Sequence, residues 1–164
     1  MSATTLAYAP ATYILIGINI LVFLAETAGG GSTDRNVALK FGAQYTPYIR
    51  QGQWYRLFTS MFLHFGFLHL ICNMYSLSNL GPALERFFGI PIFVALYLAS
   101  GLAGNLLTWA MEQKSGRYTM SLGASGADLG PLPAGSRALL IGLACVWVLL
   151  GAYAIAGRVK KRKG

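Results

Sequence analysis

The sequence predicts an all-α, polytopic membrane protein, a helical bundle with about four transmembrane helices that forms a single domain over residues 1–164. Low charge is the first observation behind this prediction. Thirteen basic and five acidic residues make up only 11% of the chain, whereas an average soluble domain has roughly 25% charged residues. The second is hydrophobicity, at 55% of residues with a mean hydropathy of +0.52. This composition excludes a disordered chain, a disulfide-rich secreted module and an ordinary cytosolic enzyme.

The third observation is the spacing of the charges, which leaves four long uncharged gaps of 25, 28, 25 and 20 residues. A helix needs roughly 20 apolar residues to cross about 30 Å of hydrocarbon, so each gap is long enough for one span. We expect the four spans at about residues 11–25, 63–84, 90–111 and 138–157. No Lys or Arg precedes the first span, so we expect it to be retained and not cleaved as a signal peptide.

Two polar segments separate these spans. Residues 34–60 mix basic residues with many aromatics, a composition typical of the membrane–water boundary, so we expect short amphipathic helices there. Residues 128–137 carry two prolines, two glycines and two charges, and such a segment cannot form the interior of a membrane helix.

The net charge of +8 is concentrated at the C-terminus, where residues 158–164 contain five basic side chains. A basic cluster directly after an apolar helix indicates a cytoplasmic tail that faces anionic lipid, and does not indicate a nucleic-acid partner. With four spans, both termini are then cytoplasmic. We expect a multi-pass protein of a bacterial plasma (inner) membrane. Cys72 and Cys145 lie in separate apolar runs and are expected to be reduced packing residues.

The second predicted span contains three polar side chains, His64, His69 and Asn73. His69 and Asn73 are four residues apart and therefore share one helix face. Such residues often join membrane helices by hydrogen bonds, but intramembrane polar groups are also candidates for function, here as donors to an anionic intermediate. A zinc site needs three or four ligands, and no further ligand is near in the sequence, so we predict no metal.

A small-residue segment, Gly-Ala-Ser-Gly-Ala at residues 123–127, follows the short polar loop at residues 112–118 after the third predicted span. One interpretation is a packing face between helices, which is common in membranes. The other interpretation is a Ser nucleophile at Ser125, opposite the two donors of the second span.

In this combination the sequence resembles the rhomboid family of intramembrane serine proteases. Four motifs occur in the family's order, over about residues 13–127. They are Trp-Tyr-Arg with Trp54 and Arg56, His-x(4)-His-x(3)-Asn with His64, His69 and Asn73, Glu85-Arg86, and Gly-x-Ser-Gly-Ala with Gly123, Ser125 and Gly126.

The resemblance implies a serine-type endopeptidase that cleaves peptide bonds in or near the transmembrane helices of substrate proteins. Ser125 would be the nucleophile, and His69 and Asn73 would bind the oxyanion. Arg56 and His64 would shape the first loop, which is the segment after the first span at about residues 34–60, and its membrane surface. No cofactor is implied, and the expected partners are transmembrane protein substrates or clients and the lipid bilayer.

Two departures from the family pattern modify this expectation. Rhomboids pair the Ser with a His on the sixth span, whereas this sequence has two histidines, and both belong to the second-span motif. In addition, residues 128–148 look like an insertion that displaces the rest of the fourth span. We therefore expect an inactive or impaired protease. The alternative is a catalytically dead rhomboid-like protein that binds client membrane helices.

Overall fold

The structure is a computed structural model that describes residues 9–122 and 127–128. Helices dominate this part of the chain, as the sequence predicts. The elements in chain order are α1 (Pro10–Ala28), α2 (Arg35–Lys40), β1 (Gln44–Tyr45), α3 (Thr46–Arg50), α4 (Arg56–Thr59), a 3₁₀ helix (Ser60–Phe62), α5 (Phe67–Phe88), α6 (Ile90–Ser115), β2 (Met120–Leu122) and β3 (Ala127–Asp128).

Within the described residues, α1 and α6 are each long and apolar enough to cross a membrane. A third span is formed if the Arg56–Phe62 segment and α5, which meet at an angle of 87°, are taken together. These helices confirm the predicted all-α membrane fold in the part of the chain that the structure describes. The predicted fourth span, the basic tail, Cys145 and the residues of the insertion beyond Asp128 lie outside the described residues and stay predictions.

The observed helix limits differ from the predicted spans because the prediction used charged residues as boundaries. Helix α1 continues three residues past the predicted end at residue 25 and includes Glu26, which is fully buried. Helix α6 likewise runs to Ser115 and includes the buried Glu112. The second span was predicted to begin at Leu63, but α5 begins at Phe67.

The predicted interfacial segment folds into short helices, α2, α3 and α4. Asp34 precedes α2, and its carboxylate accepts hydrogen bonds from the backbone N–H groups of Asn36 (2.7 Å) and Val37 (2.9 Å). This arrangement satisfies two of the N–H groups that a helix start leaves free. Pro47 lies in the first turn of α3, where a backbone N–H would have no hydrogen-bond partner within the helix.

A small antiparallel sheet, which the sequence analysis did not predict, joins this segment to the chain after α6. β2 is the central strand, with Gln44 opposite Ser121 on one side and Leu122 opposite Ala127 on the other. The sheet brings residues separated by more than 70 positions in sequence to one place. Strands of two or three residues are too short to show an alternating pattern, which explains why the sequence did not reveal them.

Helices α1 and α5 pack closely at the N-terminal end of α1. The buried side chains there are Ala11 and Leu15 of α1, Leu84 of α5 and Phe93 of α6. A Cβ atom at Gly81 of α5 would lie 2.5 Å from Thr12 Cγ2, so only glycine permits this approach. Small residues at helix contacts serve this purpose in membranes.

The cysteine prediction was partly wrong. Cys72 is a free thiol, but it lies exposed on α5 instead of packing in the core of the described residues.

Candidate active site

The candidate site begins at the break between the 3₁₀ helix and α5. Gly66 occupies the turn with φ = +82°, a conformation that side chains other than glycine rarely adopt. The chain bends there, and α5 starts at Phe67. His64 therefore lies in the break between the two segments of this candidate span, and not in α5 itself.

His64 is fixed by contacts on both its backbone and its side chain. Its backbone N–H donates to a carboxylate oxygen of Glu26 at 3.1 Å, and its ring Nδ1 lies 3.1 Å from the carbonyl oxygen of Phe62. The imidazole is only 2% exposed, and its centroid lies 5.2 Å from that of the His69 ring. The structure thus brings the two histidines of the motif together across the break.

His69 and Asn73 lie one turn apart on α5, on the face predicted from their spacing. The Nδ2 atom of Asn73 is buried and has no hydrogen-bond partner among the described residues. A buried amide N–H without an acceptor is costly, and native structures rarely keep one without a role. This donor is available to a ligand or a reacting group.

The strand that leads to Ser125 is anchored beside this break. Met120 and Leu122 of β2 are buried in a cluster with Leu63, Ala38 and Ala43. Leu122 is three residues before Ser125, and Leu63 directly precedes His64.

Gly123, Ser125 and Gly126 lie outside the described residues. The chain is described again at β3, where Ala127 and Asp128 pair with β2. The last residue of the Gly-x-Ser-Gly-Ala motif, Ala127, is thus in a strand, which the sequence did not predict.

The buried side chain of Arg56 joins backbone segments of the first loop by hydrogen bonds. The guanidinium donates to the backbone carbonyls of Leu39 (2.9 Å) and Ala43 (3.0 Å) and to the side chain of Gln53 (2.7 Å), and it lies 4.8 Å from the ring centroid of Tyr48. The side chain is only 6% exposed. A buried cation whose donors are used in this way holds loop backbone segments together.

Trp54, two residues before Arg56, has a different environment. Its indole is 53% exposed and makes an edge-to-face contact with Trp109 of α6, with ring centroids 5.5 Å apart. This contact joins the first loop to α6.

Glu85 and Arg86 lie near the opposite end of α5. The buried carboxylate of Glu85 accepts hydrogen bonds from the backbone N–H groups of Ala11 (3.0 Å) and Thr12 (2.8 Å) and from the Thr12 hydroxyl (2.7 Å). It caps the start of α1 and supports the helix pair. Arg86 is exposed, and its Nε donates to the carbonyl of Pro82 on the same helix at 3.0 Å.

Sequence analysis missed a polar stripe on α6 that fixes the first loop. Asn105 donates to the carbonyl of Leu57 (2.7 Å) and to the Ser60 hydroxyl (2.9 Å). The carboxylate of Glu112 accepts hydrogen bonds from the hydroxyl of Thr46 and from Thr119. The signal was present, because Asn105 and Glu112 are two helical turns apart and therefore share one face of α6.

These contacts place three polar side chains, His64, His69 and Asn73, at the start of α5. Among the described residues, no group of three or more His, Cys, Asp and Glu side chains is arranged to hold a metal ion. The donors of α5 can stabilise negative charge on an oxygen atom placed beside them.

Comparisons with known proteins identify the class. Residues 51–136 match the family model described as "Rhomboid domain", which is about half of the chain. The chain is 38% identical over 123 residues to "Rhomboid protease GluP" of Bacillus subtilis, covering 75% of this chain and 23% of that protein. It is 40% identical over 86 residues to "Putative rhomboid protease YdcA" of the same organism, covering 52% of this chain and 42% of that protein.

A third relative is "Rhomboid-like protease 1" of Toxoplasma gondii, 37% identical over 98 residues, covering 57% of this chain and 33% of that protein. The matched regions thus span less than half the length of each of these relatives. Together with the apolar helices, the comparisons define an integral membrane protein with a helical bundle. The chain belongs to the rhomboid family, and its relatives include proteins named as proteases.

Proposed function

We propose that this chain carries the nucleophile and the oxyanion-binding residues of a rhomboid intramembrane serine protease. Ser125 is the nucleophile, and His69 and Asn73 bind the oxyanion. The buried, unpartnered Nδ2 of Asn73 supports this proposal most strongly, because it is a donor without an acceptor among the described residues. The anchoring of Leu122 beside Leu63 adds support, since it holds the start of the Ser125 segment near α5.

In the proposed reaction, Ser125 Oγ forms a bond to the carbonyl carbon of the scissile peptide. The carbonyl π electrons move to the oxygen, and the resulting oxyanion accepts hydrogen bonds from His69 and Asn73. The intermediate collapses when the C–N bond breaks and the amine leaves with a proton. Water then hydrolyses the acyl-enzyme. The substrates are transmembrane proteins, cleaved in or near their membrane helices.

The hydroxyl proton of Ser125 needs an acceptor in this scheme. The 164 residues contain two histidines, and both belong to the motif before and on α5. General acid–base assistance typically contributes about 10²–10⁴-fold in rate. We therefore expect the 164-residue polypeptide, assayed by itself, to cleave a rhomboid model substrate at a rate lower than that of an intact rhomboid by about this factor.

The test combines covalent labelling with chemical rescue. The purified chain in liposomes is treated with a serine-reactive fluorophosphonate, with and without added imidazole as an external base. We expect weak labelling that imidazole increases and that Ser125→Ala abolishes. Asn73→Ala should lower labelling by about 10²-fold or more, as loss of an oxyanion donor does.

Asn79→Ala is the matched control, because Asn79 is an exposed amide on the same helix whose Nδ2 already donates to the Tyr75 carbonyl at 2.7 Å. It should leave labelling unchanged. Labelling that survives Ser125→Ala would refute the nucleophile assignment. Cleavage at the rate of an intact rhomboid would refute the impairment. Substrate capture that is insensitive to both Ser125→Ala and Asn73→Ala would favour the alternative of a client-binding protein.

We further propose that the protein resides in a bacterial plasma membrane with both termini in the cytoplasm. The basic cluster at residues 158–164 supports this orientation. A reporter that is active only in the cytoplasm, fused after Gly164, should be active in intact cells. An inactive reporter on a fusion protein that is present in the membrane would contradict this orientation.

A further inference from the structure

Two acidic side chains at the first-loop end of the structure are buried. Glu26 and Glu112 are buried, and their hydrogen bonds come from backbone N–H groups and Thr hydroxyls. Asp34 is exposed, but its carboxylate caps α2. The exposed basic residues of the loop and of the end of α6 are Arg35, Lys40, Arg50, Lys114 and Arg117.

Three of these cations gather where α3 meets the end of α6. Arg50, at the end of α3, donates from Nη2 to the side chain of Gln113 and lies 5.0 Å from the ring centroid of Tyr118. Lys114 and Arg117 are the immediate chain neighbours of Gln113 and Tyr118, and both are exposed. The guanidinium of Arg50 is thus fixed between the two segments that carry the other two cations.

This cluster retains the capacity to bind an anion. Only one of the five N–H donors of the Arg50 guanidinium is used among the described residues. Glu112 is the chain neighbour of Gln113, and its carboxylate oxygens accept from Thr46 and Thr119. The charges of the three cations and Glu112 sum to +2.

The position of the cluster relative to the membrane indicates which anion it meets. Trp109 lies four residues before Gln113 on α6, a rise of about 6 Å, and its indole contacts that of Trp54. Tryptophan side chains concentrate at the boundary between hydrocarbon and headgroups. Cations one helical turn further out are therefore at the depth of the lipid phosphates.

We propose that Arg50, Lys114 and Arg117 form a binding site for the phosphodiester of an anionic phospholipid headgroup. The planar guanidinium of Arg50, held by Gln113 and Tyr118, provides directed donors for the phosphate oxygens. Lys114 and Arg117 add charge that favours an anionic lipid over a zwitterionic one. The site shares no residue with the His69 and Asn73 pair of α5, and it does not depend on the proposed protease activity.

The test uses the tryptophans of the site as reporters. The full chain with Trp147→Phe keeps only Trp54 and Trp109, and it is reconstituted in phosphatidylcholine liposomes that contain brominated phosphatidylglycerol or brominated phosphatidylcholine. Bromine quenches indoles in contact with the labelled lipid. We expect phosphatidylglycerol to be preferred over phosphatidylcholine roughly five-fold or more. A five-fold preference corresponds to about 1 kcal/mol, which is the attraction of one Lys or Arg to an anionic membrane surface.

Three variants separate charge from structure. R50Q/K114Q/R117Q should abolish the preference, whereas the charge-retaining variant K114R/R117K, which leaves the Arg50 guanidinium in place, should keep it. Arg86→Gln removes an exposed cation at the opposite end of α5 and should change nothing. High salt should weaken the preference, because the charges are exposed.

Equal quenching by the two lipids in the unaltered site would overturn the proposal, as would a preference that survives R50Q/K114Q/R117Q. Loss of the preference in the charge-retaining variant would also overturn it. Inorganic phosphate added at constant ionic strength should not displace the lipid. Displacement by phosphate would mean that the site takes a soluble phosphate instead of a headgroup.

Discussion

Replacement of Glu85 by alanine should strongly destabilise the protein through its effect on α1. The carboxylate belongs to α5 but accepts three hydrogen bonds from the first turn of α1, at 2.7–3.0 Å. The donors include the backbone N–H groups of Ala11 and Thr12, which a helix start cannot satisfy by itself. In the variant Glu85→Ala these two N–H groups lose their acceptor.

The size of the effect follows from burial. Glu85 is 3% exposed, Ala11 6% and Thr12 0%, so water does not readily replace the carboxylate. A buried donor left without a partner costs about 1–3 kcal/mol, and two such donors give about 2–6 kcal/mol. Loss of a negative charge at the positive end of the α1 dipole adds up to about 2 kcal/mol. Because these contributions overlap, we expect a loss of about 3–5 kcal/mol in the free energy of unfolding.

Equilibrium unfolding in dodecyl maltoside micelles titrated with SDS, followed by circular dichroism, measures this loss. Glu85→Gln keeps one acceptor oxygen and should lose about half as much. Arg86→Ala is the matched control, since its side chain is exposed and donates to a carbonyl of its own helix, and it should change stability by less than about 0.5 kcal/mol. If Glu85→Ala were no more destabilising than Arg86→Ala, the carboxylate would not hold α1, and the argument from the hydrogen bonds would be wrong.

Two further predictions use the same unfolding titration. Gly81→Ala places a Cβ 2.5 Å from Thr12 Cγ2 and should cost about 1–3 kcal/mol, whereas Gly17→Ala meets no atom within 4 Å and should be neutral or stabilising by up to about 1 kcal/mol. Equal effects at the two glycines would contradict the close approach of α1 and α5. Asn105→Ala removes the donor to a backbone carbonyl and a hydroxyl and should cost about 1–3 kcal/mol, whereas Asn79→Ala, at an exposed position, should cost less than about 0.5 kcal/mol. A stable Asn105→Ala protein would show that the α6 stripe does not hold the first loop.

The sequence was sufficient to predict the long helices, because the length of an apolar run determines whether a helix can cross the membrane. Their ends were less predictable. Glu26 was treated as a boundary because it is charged, yet the structure places it inside α1, where it accepts a hydrogen bond from the His64 backbone. Gly66 ends the preceding segment and delays the start of α5, because its backbone has a positive φ. A count of apolar residues gives no information about such a backbone conformation.

The candidate site was predictable to a similar degree. The spacing of His69 and Asn73 predicts their common face, because it follows from helix geometry alone. The anchoring of β2 beside Leu63 was not predictable, because it depends on contacts between residues about 60 positions apart. The roles of Ser125, His69 and Asn73 stay predictions that the labelling experiment tests.

The two carboxylates that join α1 to the α5 segment also set the order in which the protein assembles. Glu26 accepts a hydrogen bond from the backbone of His64, which is 38 positions later in the chain. Ala11 and Thr12, in the first turn of α1, donate to Glu85, which is 74 and 73 positions later. Synthesis at about 5–20 residues per second separates α1 from Glu85 by about 4–15 seconds. During that interval the nascent first helix is in place while its N-terminal donors have no partner from the chain. The contacts with Glu85 can therefore form only after the end of α5 emerges, whereas the contact of Glu26 with the His64 backbone can form earlier.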